Sequence, residues 1–377
     1  MNAQMLVVLS LIGTRPEAVK MAPVVRELGR SSDRIRSIVC ITGQHREMLD
    51  QVLKVFKIKP DFDLRVMKPD QMLSQLTASL ITHLEVVVEK VKPDWILAEG
   101  DTTTVLVAAL ISYYHKIHFG HVEAGLRTGD KYKPYPEEIF RRIADLLADA
   151  LFAPTERSRQ NLLREGISEE NVIVTGNTVI DALLEVAGYP YDWTTGPLAR
   201  IATDQKVVLV TAHRRESFGA GLQEICFAIK DLANRFRSKG VHFVYPVHLN
   251  PNVRRPVREI LSGETNVSLI EPLDYISLIH LMKRAKLILT DSGGIQEEAP
   301  TFGVPVLVMR EKTERPEGIE AGVTRLAGTR RSQIVAEATR LLENPEAYSA
   351  MTKRANPYGD GKAAMRIVSY LLKNGGS

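Results

Sequence analysis

KLILTDSGGIQEEAP, residues 286–300, runs from an apolar stretch through Thr290-Asp291-Ser292-Gly293-Gly294 into residues with helical spacing. A short buried strand, a glycine turn and a helix start in that order make one βαβ unit of a parallel sheet. Glycines carry no Cβ, so a phosphate can approach the backbone, and the free amides of the following helix start face it. The same Asp-Ser-Gly-Gly also makes a serviceable plain turn. Glu297 and Glu298, placed by this reading in the first helical turn, suit the helix dipole there. Glu298 lies one turn beyond the glycines, where a carboxylate can hold a pair of ribose hydroxyls.

The same unit recurs in both directions. KVVLVTAHR (206–214), VHFVYPVH (241–248), VSLIEP (267–272), VPVLVMR (304–310) and VTRLAGT (323–329) complete a second-half strand set, with helices after Arg331 and Ala363. The first half supplies LVVLSLIG (6–13), IRSIVCITG (35–43), DWILAEGD (94–101), KIHFGHVEAG (116–125), ALFAPT (150–155) and NVIVTGN (171–177), with helices expected over 18–30, 71–91 and 102–114. YPYDWTTGPLA (189–199) interrupts both periodicities and reads as a linker. The expectation is α/β: two Rossmann-like doubly wound domains, 1–188 and 189–377, facing a cleft, with the last helix able to pack back on the first domain. A single enlarged Rossmann domain is the alternative. Ligands of such sheets lie beyond the carboxyl ends of the strands, so the cleft is the expected site.

A chain of 377 residues, 44% hydrophobic and 25% charged, has enough apolar sequence for two cores and is neither disordered nor fibrous. Its formal charge of +4 is dispersed among acids, which favours a small anion over nucleic acid. Cys40 and Cys226 lack the spacing of a zinc or redox pair and read as buried thiols. The apolar run 5–12 is too short to span a bilayer, lacks a basic flank and leads straight into Gly13-Thr14-Arg15-Pro16. The reading is a cytoplasmic protein without membrane association.

The other strand ends carry the chemistry. Gly13 to Lys20 place proline at a helix start, with backbone amides expected to face outward as an anion seat; Arg15 could fork onto a phosphate and Lys20 add a second charge. A solvated turn with surface cations is the plain alternative. Asp101 and Glu123 end separate strands and can converge, although Asp101 could equally cap the helix beginning at Thr102. Glu137 opens a helix, where it also suits the dipole. From the second half come His213, Arg214 and His248, suited to phosphate binding or proton transfer. There is no spaced-glycine dinucleotide fingerprint and no P-loop, so no cofactor is expected, and no compact ligand spacing supports a metal.

Together GTRPEAVKMAP, GQHREMLDQVL, EGDTTT, HVEAGLRTGD, PYPEE, TAHRRESFG, PVHLNPNV, TDSGGIQEEAP, TERPEG and NPYGDG resemble the non-hydrolysing UDP-N-acetylglucosamine 2-epimerases of bacteria, from the first strand to Gly361. The resemblance implies a glycosyltransferase-B fold, a homodimer, no cofactor, and reversible C2 epimerisation of UDP-N-acetylglucosamine to UDP-N-acetylmannosamine for surface polysaccharides. By that similarity Arg15, Ser292, Gly293 and Gly294 hold phosphate, Glu298 holds ribose and Arg315 belongs to the nucleotide site. Lys20, Asp101, Glu123, Glu137, Arg141 and His213 match positions for substrate and chemistry. Gln44, His45 and Gln71 match a second, activating sugar-nucleotide site. Phe140 stands where the family pattern has Asn. The rivals are a hydrolysing 2-epimerase, an epimerase of a diacetamido uronic acid nucleotide and, more distantly, a UDP-sugar glycosyltransferase.

Overall fold

The computed structural model describes residues 5–43, 46–68, 70–201 and 205–375. The chain divides into two compact units, one of residues 1–182 with 359–377 and one of residues 183–358. The division falls six residues before the expected boundary, and the final segment belongs to the first unit.

In the first unit the strands are β1 (Leu6–Ile12), β2 (Ile35–Ile41), β3 (Phe62–Asp63), β4 (Trp95–Glu99), β5 (His118–Val122), β6 (Ala150–Ala153) and β7 (Val172–Val174). All pair in parallel in the order β3-β2-β1-β4-β5-β6-β7. The two-residue β3 is the one strand sequence reading did not anticipate, because two residues carry no periodicity. β1 is almost wholly buried, as expected for a sheet covered on both faces. The second unit holds β8 (Lys206–Thr211), β9 (Val241–Pro246), β10 (Val267–Ile270), β11 (Leu287–Thr290), β12 (Val306–Val308) and β13 (Thr324–Leu326), in the order β10-β9-β8-β11-β12-β13. Both orders reverse direction beside the unit's first strand. Such a switch point opens a crevice at the carboxyl ends, here of β1 and β4 and of β8 and β11.

The helix Arg15–Arg30 begins three residues earlier than its apolar pattern, because a capping box nucleates it. Against it packs the terminal helix Ala363–Asn374. Asp181 accepts the amides of Ala363 and Ala364 at 3.2 and 2.9 Å, and Tyr370 meets the rings of Trp95 and Phe152 edge-on. These contacts anchor the chain's end to the first sheet. In the second unit the expected linker is not loose: Tyr191 stacks on His280 and donates to Ser277, while Arg284 covers Trp193.

Candidate active site

Register brings the first unit's acids together. Glu99 pairs with Val122 in the β4–β5 ladder, and Gly100 N–H donates to Val122 O, so the residues that leave the two strands are neighbours. Asp101 faces Arg141, whose Nη2 lies 3.1 Å from its carboxylate. The helix after it is capped by Thr102 and starts at Thr103, which removes the capping explanation for Asp101. Burial raises its pKa, opposed chiefly by Arg141. Glu123 has a left-handed backbone (φ 66°), accepts from Asn177 Nδ2 at 2.9 Å and is ion-paired to Lys20. Lys20 also reaches Glu99 at 2.9 Å. Glu99 is buried, and burial lifts its pKa well above the ordinary value against the opposing pull of Lys20, with Glu123 adding to the rise. Burial thus favours the neutral form of Glu99, while the Lys20 ammonium is shared between Glu99 and Glu123.

Glu137 opens the helix Glu137–Leu147, and its Oε2 is buried without a hydrogen-bond partner among the described residues. Arg141 Nε reaches back to the Glu137 carbonyl at 3.4 Å and to Glu138 at 3.7 Å. Glu138 in turn accepts the amides of Thr128 and Gly129, which fixes the loop after β5. Phe140 is half-buried on the same helix.

The turn after β1 differs from expectation. The amides of Gly13 and Thr14 do not face outward; Glu17 Oε2 accepts both, at 2.6 and 3.3 Å. Lys20 is turned to Glu99 and Glu123 and so is committed to carboxylates. Arg15 is half-buried and makes no ion pair among the described residues.

In the second unit Asp291 is the anchor. It is wholly buried, and its Oδ2 accepts the amides of His213 and Arg214, each at 2.7 Å. The His213 ring lies 3.5 Å from Asp291 Oδ1 and stacks on His248, centroids 5.4 Å apart. Burial pushes the His213 pKa down, Asp291 opposes, and His248 and Arg214 lower it further. His213 is therefore neutral near pH 7. His248 Nδ1 accepts from the Asn250 amide, which leaves its proton on Nε2.

Ser292 stands at the N-cap position of the short helix Gly293–Glu298 without a side-chain cap bond, and its own amide donates to Thr290 Oγ1 at 2.9 Å. The amides of Gly293 and Gly294 head the helix and have no intrahelical acceptor. Arg214 lies beside Gly293 and 3.9 Å from Glu314. Because the helix is six residues long, Glu297 and Glu298 occupy its last turn, and the dipole explanation for them fails. Glu297 instead pairs with Arg315, and Glu298 is buried. Gln71 Oε1 accepts the Lys68 amide at 3.2 Å; Gln44 and His45 lie outside the described residues.

Sequence reading missed Glu99, His121, Asp145 and Asp291. His121 is fully buried, with Nδ1 2.6 Å from Asp145 and Nε2 2.7 Å from the Gly100 carbonyl. A signal existed: Glu138, Arg141 and Asp145 recur at i, i+3 and i+7, which puts polar groups on one buried helix face. Among the described residues no group of histidine, cysteine and acids has metal-binding geometry, and no helix is long and apolar enough to cross a membrane.

Comparison with known proteins gives these clusters a context. The family model described as UDP-N-acetylglucosamine 2-epimerase matches residues 26–372. A UDP-N-acetylglucosamine 2-epimerase of Yersinia pestis is 54% identical across 97% of this chain and 98% of its own, and one of Escherichia coli K12 is 51% identical with the same coverage. The crystal structure of UDP-GlcNAc 2-epimerase from Neisseria meningitidis bound to UDP-GlcNAc is 49% identical, with a TM-score of 0.85 over 98% of this chain and all of that one. A glycotransferase of kitacinnamycin, 12% identical with a TM-score of 0.65 over 99% of this chain and all of its own, shares the fold alone.

Proposed function

Because the chain belongs to the UDP-N-acetylglucosamine 2-epimerase family, a family of isomerases, we propose that it inverts C2 of UDP-N-acetylglucosamine to give UDP-N-acetylmannosamine, reversibly. C2 of the sugar is not beside a carbonyl, so its hydrogen is hardly acidic until the C1–O bond to UDP begins to break. In the proposed reaction a base takes the C2 proton as UDP leaves C1, giving 2-acetamidoglucal. UDP then returns to C1 while an acid protonates C2 from the other face. Electrons and atoms balance without a redox cofactor.

The observation that carries this reading is the pair of acids leaving β4 and β5, each with its own cation: Asp101 on Arg141 and Glu123 on Lys20. Two carboxyl groups held in different environments supply a proton acceptor and a proton donor. Glu137 lies in the same helix as Arg141 and is assigned to the same chemistry. His213, Arg214, His248, Ser292, Gly293, Gly294, Glu298, Arg315 and, from the first unit, Arg15 are assigned to UDP, which must be retained while detached from the sugar. Neutral His213 is suited to carry a proton to or from the departing diphosphate.

Incubation with UDP-N-acetylglucosamine in D2O, followed by NMR, tests the route. The expected product is the manno epimer with one solvent deuterium at C2. A product that keeps its original C2 hydrogen excludes elimination.

The proposal extends to a cytoplasmic homodimer supplying surface polysaccharide, with Gln44, His45 and Gln71 at an activating site for UDP-N-acetylglucosamine. Exposed Val86, Tyr113 and Tyr114, apolar side chains on two neighbouring helices of the first unit, support self-association. The activating site predicts a lag with pure UDP-N-acetylmannosamine that trace UDP-N-acetylglucosamine removes; linear initial rates without stimulation would refute it.

A further inference from the structure

We propose that His121 and Asp145 are a positioning pair that sets the placement of Asp101, Glu123 and Arg141, an inference that rests on the epimerase reading for its kinetic consequence but not for its geometry. Three segments carry the acid/base groups: the end of β4, the end of β5 and the helix Glu137–Leu147. The pair touches all three. His121 Nε2 lies 2.7 Å from the carbonyl of Gly100, the residue before Asp101. Its Nδ1 lies 2.6 Å from Asp145 Oδ1. Asp145 Oδ2 accepts the amide of Gly125, two residues after Glu123, at 3.2 Å, and pairs with Arg127 Nη2 at 2.7 Å. Asp145 itself is one helical turn beyond Arg141, the cation of Asp101.

Both partners of the His121 ring are acceptors. A neutral imidazole has one N–H and would leave one of these buried acceptors facing a lone pair, so the bridge requires the imidazolium. The charges around it agree: Asp145 and Asp101 favour the cation, and Asp145 is shared with Arg127. Of the charges beyond them, Glu123 favours the cation while Arg141 and Lys20 oppose it. Burial opposes the charge, but these contacts outweigh it and the His121 pKa is raised.

The pair does not reach the sugar in this scheme; it holds the acids. His121→Gln keeps one donor and loses the bridge. The expected result is a kcat lower by about a hundredfold, with KM for UDP-N-acetylglucosamine and calorimetric UDP affinity within about threefold, since a small misplacement of reacting groups costs this much. The pH profile of kcat also shifts its Asp101 limb upward, because a neighbouring positive charge is gone. Unchanged kcat and pH profile in a folded variant would overturn the proposal. So would a fall in UDP affinity parallel to kcat, which signals general disruption.

Should His121→Gln fail to fold, the wild-type protein decides. With 15N-labelled histidine, NMR at pH 7.5 is expected to show one imidazolium with both ring protons protected from exchange. The absence of such a ring would overturn the bridge. An inactive wild type that shows this signal would refute the epimerase reading alone.

Discussion

Replacing Glu123 by Gln is expected to lower epimerisation roughly a thousandfold, the range of a lost acid/base group, with little change in thermal stability. The amide keeps the volume and the acceptor for Asn177, which now donates 2.9 Å away, but it neither takes nor gives a proton at neutral pH. The fold survives because Glu99 is in reserve. Burial, helped by the charge on Glu123, raises the Glu99 pKa well above the ordinary value in the native protein. When that charge is removed, one of the causes raising its pKa disappears while Lys20 remains 2.9 Å away. Glu99 then ionises at lower pH and balances the ammonium in its place. The partner substitution sharpens the test: Glu99→Gln retains a donor to Glu123, and its kcat is expected within about threefold of wild type, a loss under ~0.7 kcal/mol. Coupled kinetics and thermal melts on both variants check this. A Glu123→Gln enzyme with more than a tenth of the native rate would remove Glu123 from the proton transfer.

Much of this site was legible because parallel sheets announce their strand ends. Asp101, Glu123, His213 and the Ser292-Gly293-Gly294 turn all follow apolar runs, and that position alone marks them. What could not be read was how each end is held, because the partners are remote in sequence: Asp145 serves His121 from 24 residues away, and Asp291 serves His213 from 78. Local rules also misled. Thr14-Arg15-Pro16-Glu17 satisfies a capping box, which consumes the amides that an outward-facing loop would offer an anion. The dipole explanation for Glu297 and Glu298 placed them in the first turn, yet the helix already starts at Gly293 and leaves both beyond that turn. Residues 363–374 pack on the first sheet through Asp181 and Tyr370, contacts that are likewise remote in sequence.

The second large effect concerns Gly125, and it separates two glycines that share a backbone conformation. Gly100 (φ 88°) and Gly125 (φ 86°) both lie where an L-residue is strained, at roughly 1–2 kcal/mol for alanine. A Cβ on Gly100 meets nothing within 4 Å. On Gly125 it would collide with the Ser158 carbonyl oxygen and lie 2.9 Å from the carbonyl carbon, backbone atoms of the helix Glu156–Arg164 that cannot rotate away. That helix is pinned by the Thr155 cap, and its Asn161 donates to the Gly125 carbonyl at 3.0 Å. Relief therefore costs the Asn161 bond, or the Gly125 amide bond to Asp145, in addition to the strain. Gly125→Ala is expected to lose about 4 kcal/mol or more, lowering the melting temperature of the first unit by roughly 10 °C, and to drop kcat by moving Glu123. Gly100→Ala is expected to lower it by under about 5 °C. Differential scanning calorimetry of the two variants compares them directly. Equal shifts would mean that backbone strain alone sets the cost, and that the loop carrying Glu123 is not locked against the neighbouring helix.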